Sequence, residues 1–272
     1  MWYELVTTDV EKAKDFYTKV MGWSAWNASV PGRPYTLFAI ERFPVGGLLD
    51  LPEAAREMGI QPSWIGYVGV DDVDAVTERA RRLGGVVHVP PTNVADISRF
   101  AVFSDPQAAR LAVFKWLKPP QLQSAGSDTP GRVGWHELLA ADWAQALAFY
   151  AKLFGWQEAD SESGTMGTYQ LFSAGGEIIG GMFNKPASMP SPFWLYYFNV
   201  IDIDAAAQRV RTEGGQILGG PIEVPGGSAI VLCLDPQGAR FALEGVRGRK
   251  AVGYFKSVAA HDPSRRERRW SW

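Results

Sequence analysis

The sequence predicts an α+β protein of two tandem domains, each assembled from two βαβββ modules, so four modules in all. Three observations carry this reading. Trp2-Tyr3-Glu4-Leu5 with Asp9, Phe16-Tyr17 and Gly22-Trp23 returns as Trp135-His136-Glu137-Leu138 with Asp142, Phe149-Tyr150 and Gly155-Trp156, at a constant offset of 133 residues. The match resumes later in each half: Trp64, Tyr67, Asp72, Asp74 and Gly84-Gly85 reappear as Trp194, Tyr197, Asp202, Asp204 and Gly214-Gly215, and Asp105-Pro106-Gln107 as Asp235-Pro236-Gln237. Finally, 272 residues suit two domains of roughly 100–150 residues each, and the repeat is too long for a solenoid.

Each element follows from local pattern. The opening strand alternates, with Trp2, Glu4 and Val6 on one face and Tyr3 and Leu5 on the other. Asp9 is a good N-cap, Ala13, Phe16, Tyr17 and Val20 share one helical face, and Gly22 suits the left-handed stop. In the second copy Asp142 and Gln145 predict a capping box, with Ala146, Phe149, Tyr150 and Leu153 inward and Gly155 as the stop. A strand from Trp64 to Val70 leads to a helix capped by Asp72, with Val73, Val76, Ala80 and Leu83 inward and an end at Gly84-Gly85; Trp194 to Val200 and Asp202 repeat this. The segments Phe100–Phe103 and Leu111–Phe114 flank the D-P-Q turn as strands. A Pro/Gly/Ser-rich stretch separates the copies. The boundaries expected are residues 1–117 for the first domain, 118–131 for the linker, 132–246 for the second domain and 247–272 for a tail.

Composition narrows the function. A net charge of −2 gives no electrostatic case for nucleic acid. No apolar run approaches the ~20 residues that cross a bilayer, and because the chain enters a strand pattern at once, no signal peptide is expected. Cys233 is the only cysteine and sits in a strand-like run that reads as buried. A cytoplasmic protein is therefore expected. The tail holds eight Lys or Arg against two acids, and reads as a solvated basic segment or one that docks on an acidic surface.

The strings WYELVTTD with AKDFYTKVMGW, and WHELLAAD with ALAFYAKLFGW, resemble the vicinal oxygen chelate superfamily of glyoxalase I, the bleomycin-resistance proteins and the extradiol dioxygenases. The VDDVDA run at Val70–Ala75 and the D-P-Q turns at Asp105 and Asp235 are similar to its second-module signature. The resemblance implies a cupped mixed sheet in each domain and, in metal-using members, a His, Gln or Glu ligand set at its mouth. Those positions map to Trp2, Ile65, Ala112 and the neighbourhood of Gly47-Leu48, and in the second copy to Trp135, Leu195, Ala242 and Gly181-Met182. None of these side chains binds a divalent cation. The three histidines, His88, His136 and His261, fall at unrelated points of the repeat, and His136 should point away from the cup. No metal and no other cofactor is therefore expected.

What remains for the cups is one acid each and a set of aromatics. Glu4 and Glu137 share the face of the lost ligands and are the candidate proton-transfer groups or polar anchors; the alternative is a carboxylate satisfied by Tyr, Arg or backbone donors. Trp2, Tyr35, Trp64 and Tyr67, with Trp135, Tyr169, Trp194 and Tyr197, are the candidate ligand-binding residues, the alternative for the tryptophans being core or domain-interface packing. Gly46-Gly47 and Gly180-Gly181 suggest close backbone approach. The function expected is small-molecule binding of glyoxalase/bleomycin-resistance type without the family metal. The alternatives are a lyase or isomerase using Glu4 and Glu137 or a metal held elsewhere, and a non-catalytic scaffold. The partners expected are a small organic ligand and the chain's own second domain, with a homodimer as the other pairing, and neither nucleic acid nor membrane.

Overall fold

The structure, a computed structural model, describes residues 1–30, 33–118, 126, 128–164 and 167–248. The basic tail beyond residue 248 and most of the linker therefore lie outside the described residues. The first half runs β1 (Trp2–Thr7), α1 (Val10–Met21), β2 (Ser24–Val30), β3 (Arg33–Ile40), β4 (Phe43–Asp50), α2 (Glu53–Glu57), β5 (Ser63–Gly69), α3 (Val73–Arg82), β6 (Val86–Val94), β7 (Ser98–Ser104) and β8 (Arg110–Trp116). The second half runs β9 (Val133–Ala140), α4 (Trp143–Phe154), β10 (Gln157–Gly164), β11 (Gly167–Ala174), β12 (Glu177–Asn184), β13 (Phe193–Asp202), α5 (Ile203–Thr212), β14 (Gln216–Val224), β15 (Ser228–Leu234) and β16 (Arg240–Val246). Apart from α2, each half is βαβββ twice, as the repeat predicts. The five-residue α2 has no counterpart among the helices of the second half and begins after Pro52; its single turn is too short to leave an amphipathic period in the sequence.

Each half folds into its own eight-stranded sheet, in the order β2-β3-β4-β1-β5-β8-β7-β6 and β10-β11-β12-β9-β13-β16-β15-β14. The opening strands of the two modules lie side by side and antiparallel at the centre, β1 against β5 and β9 against β13. Each is flanked by a parallel neighbour, such as β4 beside β1 and β8 beside β5. The register sets the rows that matter below: Trp2 opposite Tyr67 opposite Ala112, and Gly47 opposite Glu4 opposite Ile65.

The helix caps follow the sequence. Asp9, Asp72, Asp142 and Asp202 each accept from the backbone N–H three residues on, and Gly22 and Gly155 end their helices in the left-handed conformation. The capping box at Asp142 takes a different form. Gln145 donates its side-chain amide to the Asp142 carboxylate, and the Asp142 N–H that a box would engage donates instead to Gln107 Oε1 of the first domain at 2.8 Å. A tertiary partner has replaced the local one.

One hydrophobic core runs continuously through both domains on the helix side of the sheets. Phe16 and Tyr17 of α1 stack edge-on against Phe241 of β16, and Trp23 against Phe198 of β13. Aromatic pairs of this kind contribute about 0.5–1.5 kcal/mol each beyond the area they bury, so the domains share a core and not merely a contact. Tyr3 and His136 occupy the same position of the repeat, yet touch: the Tyr3 hydroxyl lies 2.5 Å from His136 Nε2 and their rings stack. Two equivalent residues in contact mark the axis of an internal two-fold. The opposite faces of the sheets carry separate, smaller apolar clusters, and these are the cups.

Candidate functional site in two cups

On β1, residues alternate between the shared core and the cup. Tyr3 and Leu5 enter the core, while Trp2 and Val6 pack with Tyr35 and Tyr67 on the other side. Glu4 lies between them and receives two hydroxyls. Tyr35 of β3 donates to Oε1 and Tyr67 of β5 to Oε2, both at 2.6 Å, and Trp2 Nε1 donates to the Tyr35 hydroxyl at 3.3 Å. The second cup repeats the arrangement through Tyr169 to Glu137 Oε1 at 3.0 Å, Tyr197 to Oε2 at 2.8 Å and Trp135 Nε1 to Tyr169 at 2.9 Å. The glycine pairs serve this geometry. A Cβ on Gly47 would run into the Tyr35 hydroxyl, and one on Gly181 into the Tyr169 ring, so glycine lets the tyrosine lie flat over the neighbouring strand.

The two cups differ in depth. Trp135, Tyr169 and Tyr197 are all buried, and although Glu137 keeps some accessible surface, the packed protein around its carboxyl pushes its pKa up to about 7, against the pull of the Tyr197 and Tyr169 hydrogen bonds. Burial, and then the Glu137 charge, hold both tyrosines well above the usual phenol value, so they remain donors. In the first cup Trp2, Glu4 and Tyr35 are only half-buried, and they border a cavity of about 220 Å³ whose walls also include Leu37, Phe100, Phe114 and Trp116.

Two of the expected binding residues lie elsewhere. Trp64 and Trp194 face the shared core, where their indole N–H groups donate to Tyr17 at 2.9 Å and Tyr150 at 3.1 Å. The reason is parity: Trp64 pairs with Leu5 and Tyr67 with Trp2, so residues three apart on a strand face opposite ways. Phe100, Phe114 and Trp116 are cup residues the sequence reading passed over. Alternation from Ala112 through Phe114 to Trp116 was the signal available for two of them. His136 points into the core, with Nδ1 bonded to the Ile179 carbonyl, and burial lowers its pKa to about 4.

The chain belongs to the Glyoxalase/Bleomycin resistance protein/Dioxygenase superfamily, whose profile matches residues 2–113 and 132–243. It is similar to CFP32 of Mycobacterium bovis, named provisionally as a glyoxylase, with 33% identity over 89% of this chain and 92% of that one. It is also similar to the anthracycline biosynthesis protein DnrV of Streptomyces peucetius, with 32% identity over 90% of this chain and 92% of that one. Among solved structures, the Mn(II)-bound glyoxalase of Novosphingobium aromaticivorans shares the fold at TM-score 0.61 and 15% identity, covering 90% of this chain and 82% of that one.

A divalent metal of the kind that family members use does not fit the residues present. The rows that would carry its ligands hold Trp2, Gly47, Ile65 and Ala112 in one cup and Trp135, Gly181, Leu195 and Ala242 in the other. Glu4 and Glu137, which lie in those rows, each accept two tyrosine hydroxyls, and no group of three His, Cys, Asp or Glu suited to a metal occurs among the described residues. Three or more such ligands are the usual requirement.

Proposed function

We propose that this chain binds a small organic molecule in the first-domain cup without a metal ion, the side chains of Tyr35, Glu4 and Tyr67 forming the polar floor of an otherwise apolar site. The observation that carries this is the cavity over that constellation. Pockets for drug-sized ligands span roughly 300–1,000 Å³, so about 220 Å³ suits a molecule of one or two rings. Two further facts support the reading: the positions that match the family's metal ligands hold Trp2, Gly47, Ile65 and Ala112, none of which binds a cation, and a relative is named as an anthracycline biosynthesis protein.

The test is ligand-observed NMR with 2-naphthol as probe. Binding to the wild type that is abolished in Ala28→Trp, which fills the cavity from its wall, supports the proposal. Equal binding by both proteins contradicts it.

A second reading rests on Glu137, whose pKa near 7 suits a general acid or base at neutral pH. On this reading the protein is a lyase or isomerase and Glu137→Gln abolishes turnover; unchanged turnover in that variant sinks it. A scaffold without a ligand is the outcome if neither cup binds anything.

A further inference from the structure

We propose that the ligand of the first cup is cationic: an organic ammonium whose charged head sits among aromatic rings against Glu4. This deepens the reading above and rests on it. The walls supply six rings, Trp2, Tyr35, Tyr67, Phe100, Phe114 and Trp116. Three pairs of them stand at steep angles, Trp2 to Trp116 at 74°, Tyr67 to Phe114 at 79° and Phe114 to Trp116 at 88°, and Tyr67 is tilted to Phe100 at 51°. That is the disposition of a box and not of a stack, and an aromatic box recognises ammonium groups through the negative faces of its rings.

The charge inventory points the same way. Among the described wall residues Glu4 is the only charged one, and no Lys, Arg or His among the described residues forms an ion pair with it. Its two oxygens are held by hydroxyls, which orient the carboxylate but bring no positive charge to it. A neutral apolar ligand would cover that charge with hydrocarbon, at a desolvation cost. A trimethylammonium group brings the missing charge while demanding no hydrogen bond from a carboxylate whose donors are already set. A metal dication would need further carboxylate, imidazole or thiolate ligands, and Glu4 is the only such group among the described wall residues.

The experiment compares phenyltrimethylammonium with tert-butylbenzene, its neutral isostere, by ligand-observed NMR titration of the full chain. The expected result is binding of the cation at least ~10-fold tighter, the order of a desolvated cation–π contact reinforced by a carboxylate, with the difference shrinking in Glu4→Gln. Equal affinity for the two probes in the wild type overturns the cationic proposal and leaves the cup reading standing. Failure of both probes to bind overturns the cationic proposal, and the 2-naphthol titration decides the cup reading separately. The wild-type comparison alone decides the matter, whether or not Glu4→Gln folds.

Discussion

The hydroxyl of Tyr17 in the first domain donates to Asp235 Oδ2 in the second at 3.2 Å, and Tyr150 in the second donates to Asp105 Oδ2 in the first at 3.0 Å. The pair is reciprocal, as an internal two-fold requires. Each Asp also accepts from two N–H groups of its own D-P-Q turn, Asp105 from Gln107 and Ala109 and Asp235 from Gln237 and Ala239. The signature turn is thus the anchor point of the opposite domain's first helix. Tyr150→Phe leaves a buried carboxylate short of one donor and is expected to cost about 1–3 kcal/mol, read by urea denaturation. Asp105→Ala removes the turn's acceptor as well and should cost more. If Tyr150→Phe and Tyr17→Phe are both neutral, these two hydrogen bonds contribute nothing to holding the domains together.

Stability should respond to pH through Glu137. Its folded pKa of about 7 lies above the usual 4.5, so the folded state holds the proton longer. The corresponding stability is present below pH 4.5 and is lost as pH rises toward 7, by about 3 kcal/mol at most. His136, lowered from 6.5 to about 4 by burial, works in the opposite sense: its contribution is present above pH 6.5 and lost as pH falls toward 4. The two windows overlap, so the wild type alone shows little slope. Glu137→Gln should gain stability relative to wild type between pH 5 and pH 8, by urea midpoints at both values. Parallel behaviour of the two proteins across that range would argue against a strained carboxyl.

Gly47→Ala isolates the geometry of the first cup. The added methyl occupies the place of the Tyr35 hydroxyl, so it breaks the Tyr35–Glu4 bond without touching either residue chemically. Affinity for a bound probe is expected to fall about 10-fold, the scale of one lost hydrogen bond to a charged group, with the far-ultraviolet dichroism unchanged. An unaffected affinity would mean that the floor plays no part in binding.

At the two-fold axis, the Gly66 N–H donates to the Tyr196 hydroxyl at 2.8 Å, in a buried setting. Tyr196→Phe strands that N–H and is expected to destabilise by about 1–3 kcal/mol. Gly66→Ala would place a methyl 2.5 Å from the same oxygen and should be at least as costly. Thermal denaturation of both variants checks this, and a neutral pair would mean the interface re-forms elsewhere.

Local rules were enough for the four longer helices, though not for α2: helical spacing and four Asp caps marked them, and the repeat alone divided the chain. Alternation from Trp2 put Glu4 among the cup residues. The same alternation, applied from Tyr67, excludes Trp64 from the cup, and the pairing of Trp64 with Leu5 shows why. Partnerships made by domain docking left no trace in the sequence. Nothing local to Asp142 indicates that its N–H is taken by Gln107, or that Tyr3 would meet His136. Those contacts depend on how two sheets face each other, which no periodicity encodes.

The proposal that this chain binds its ligand without a metal ion rests on side chains at the mapped positions that bind no cation. It is tested most directly by incubating the purified full-length protein with Fe(II), Mn(II), Ni(II) and Zn(II) in turn, removing excess ion by gel filtration and measuring bound metal by mass spectrometry. The account predicts far less than one ion per chain for each metal, and no difference between wild type and Glu4→Gln. A stoichiometric ion lost on Glu4→Gln or Glu137→Gln would contradict it.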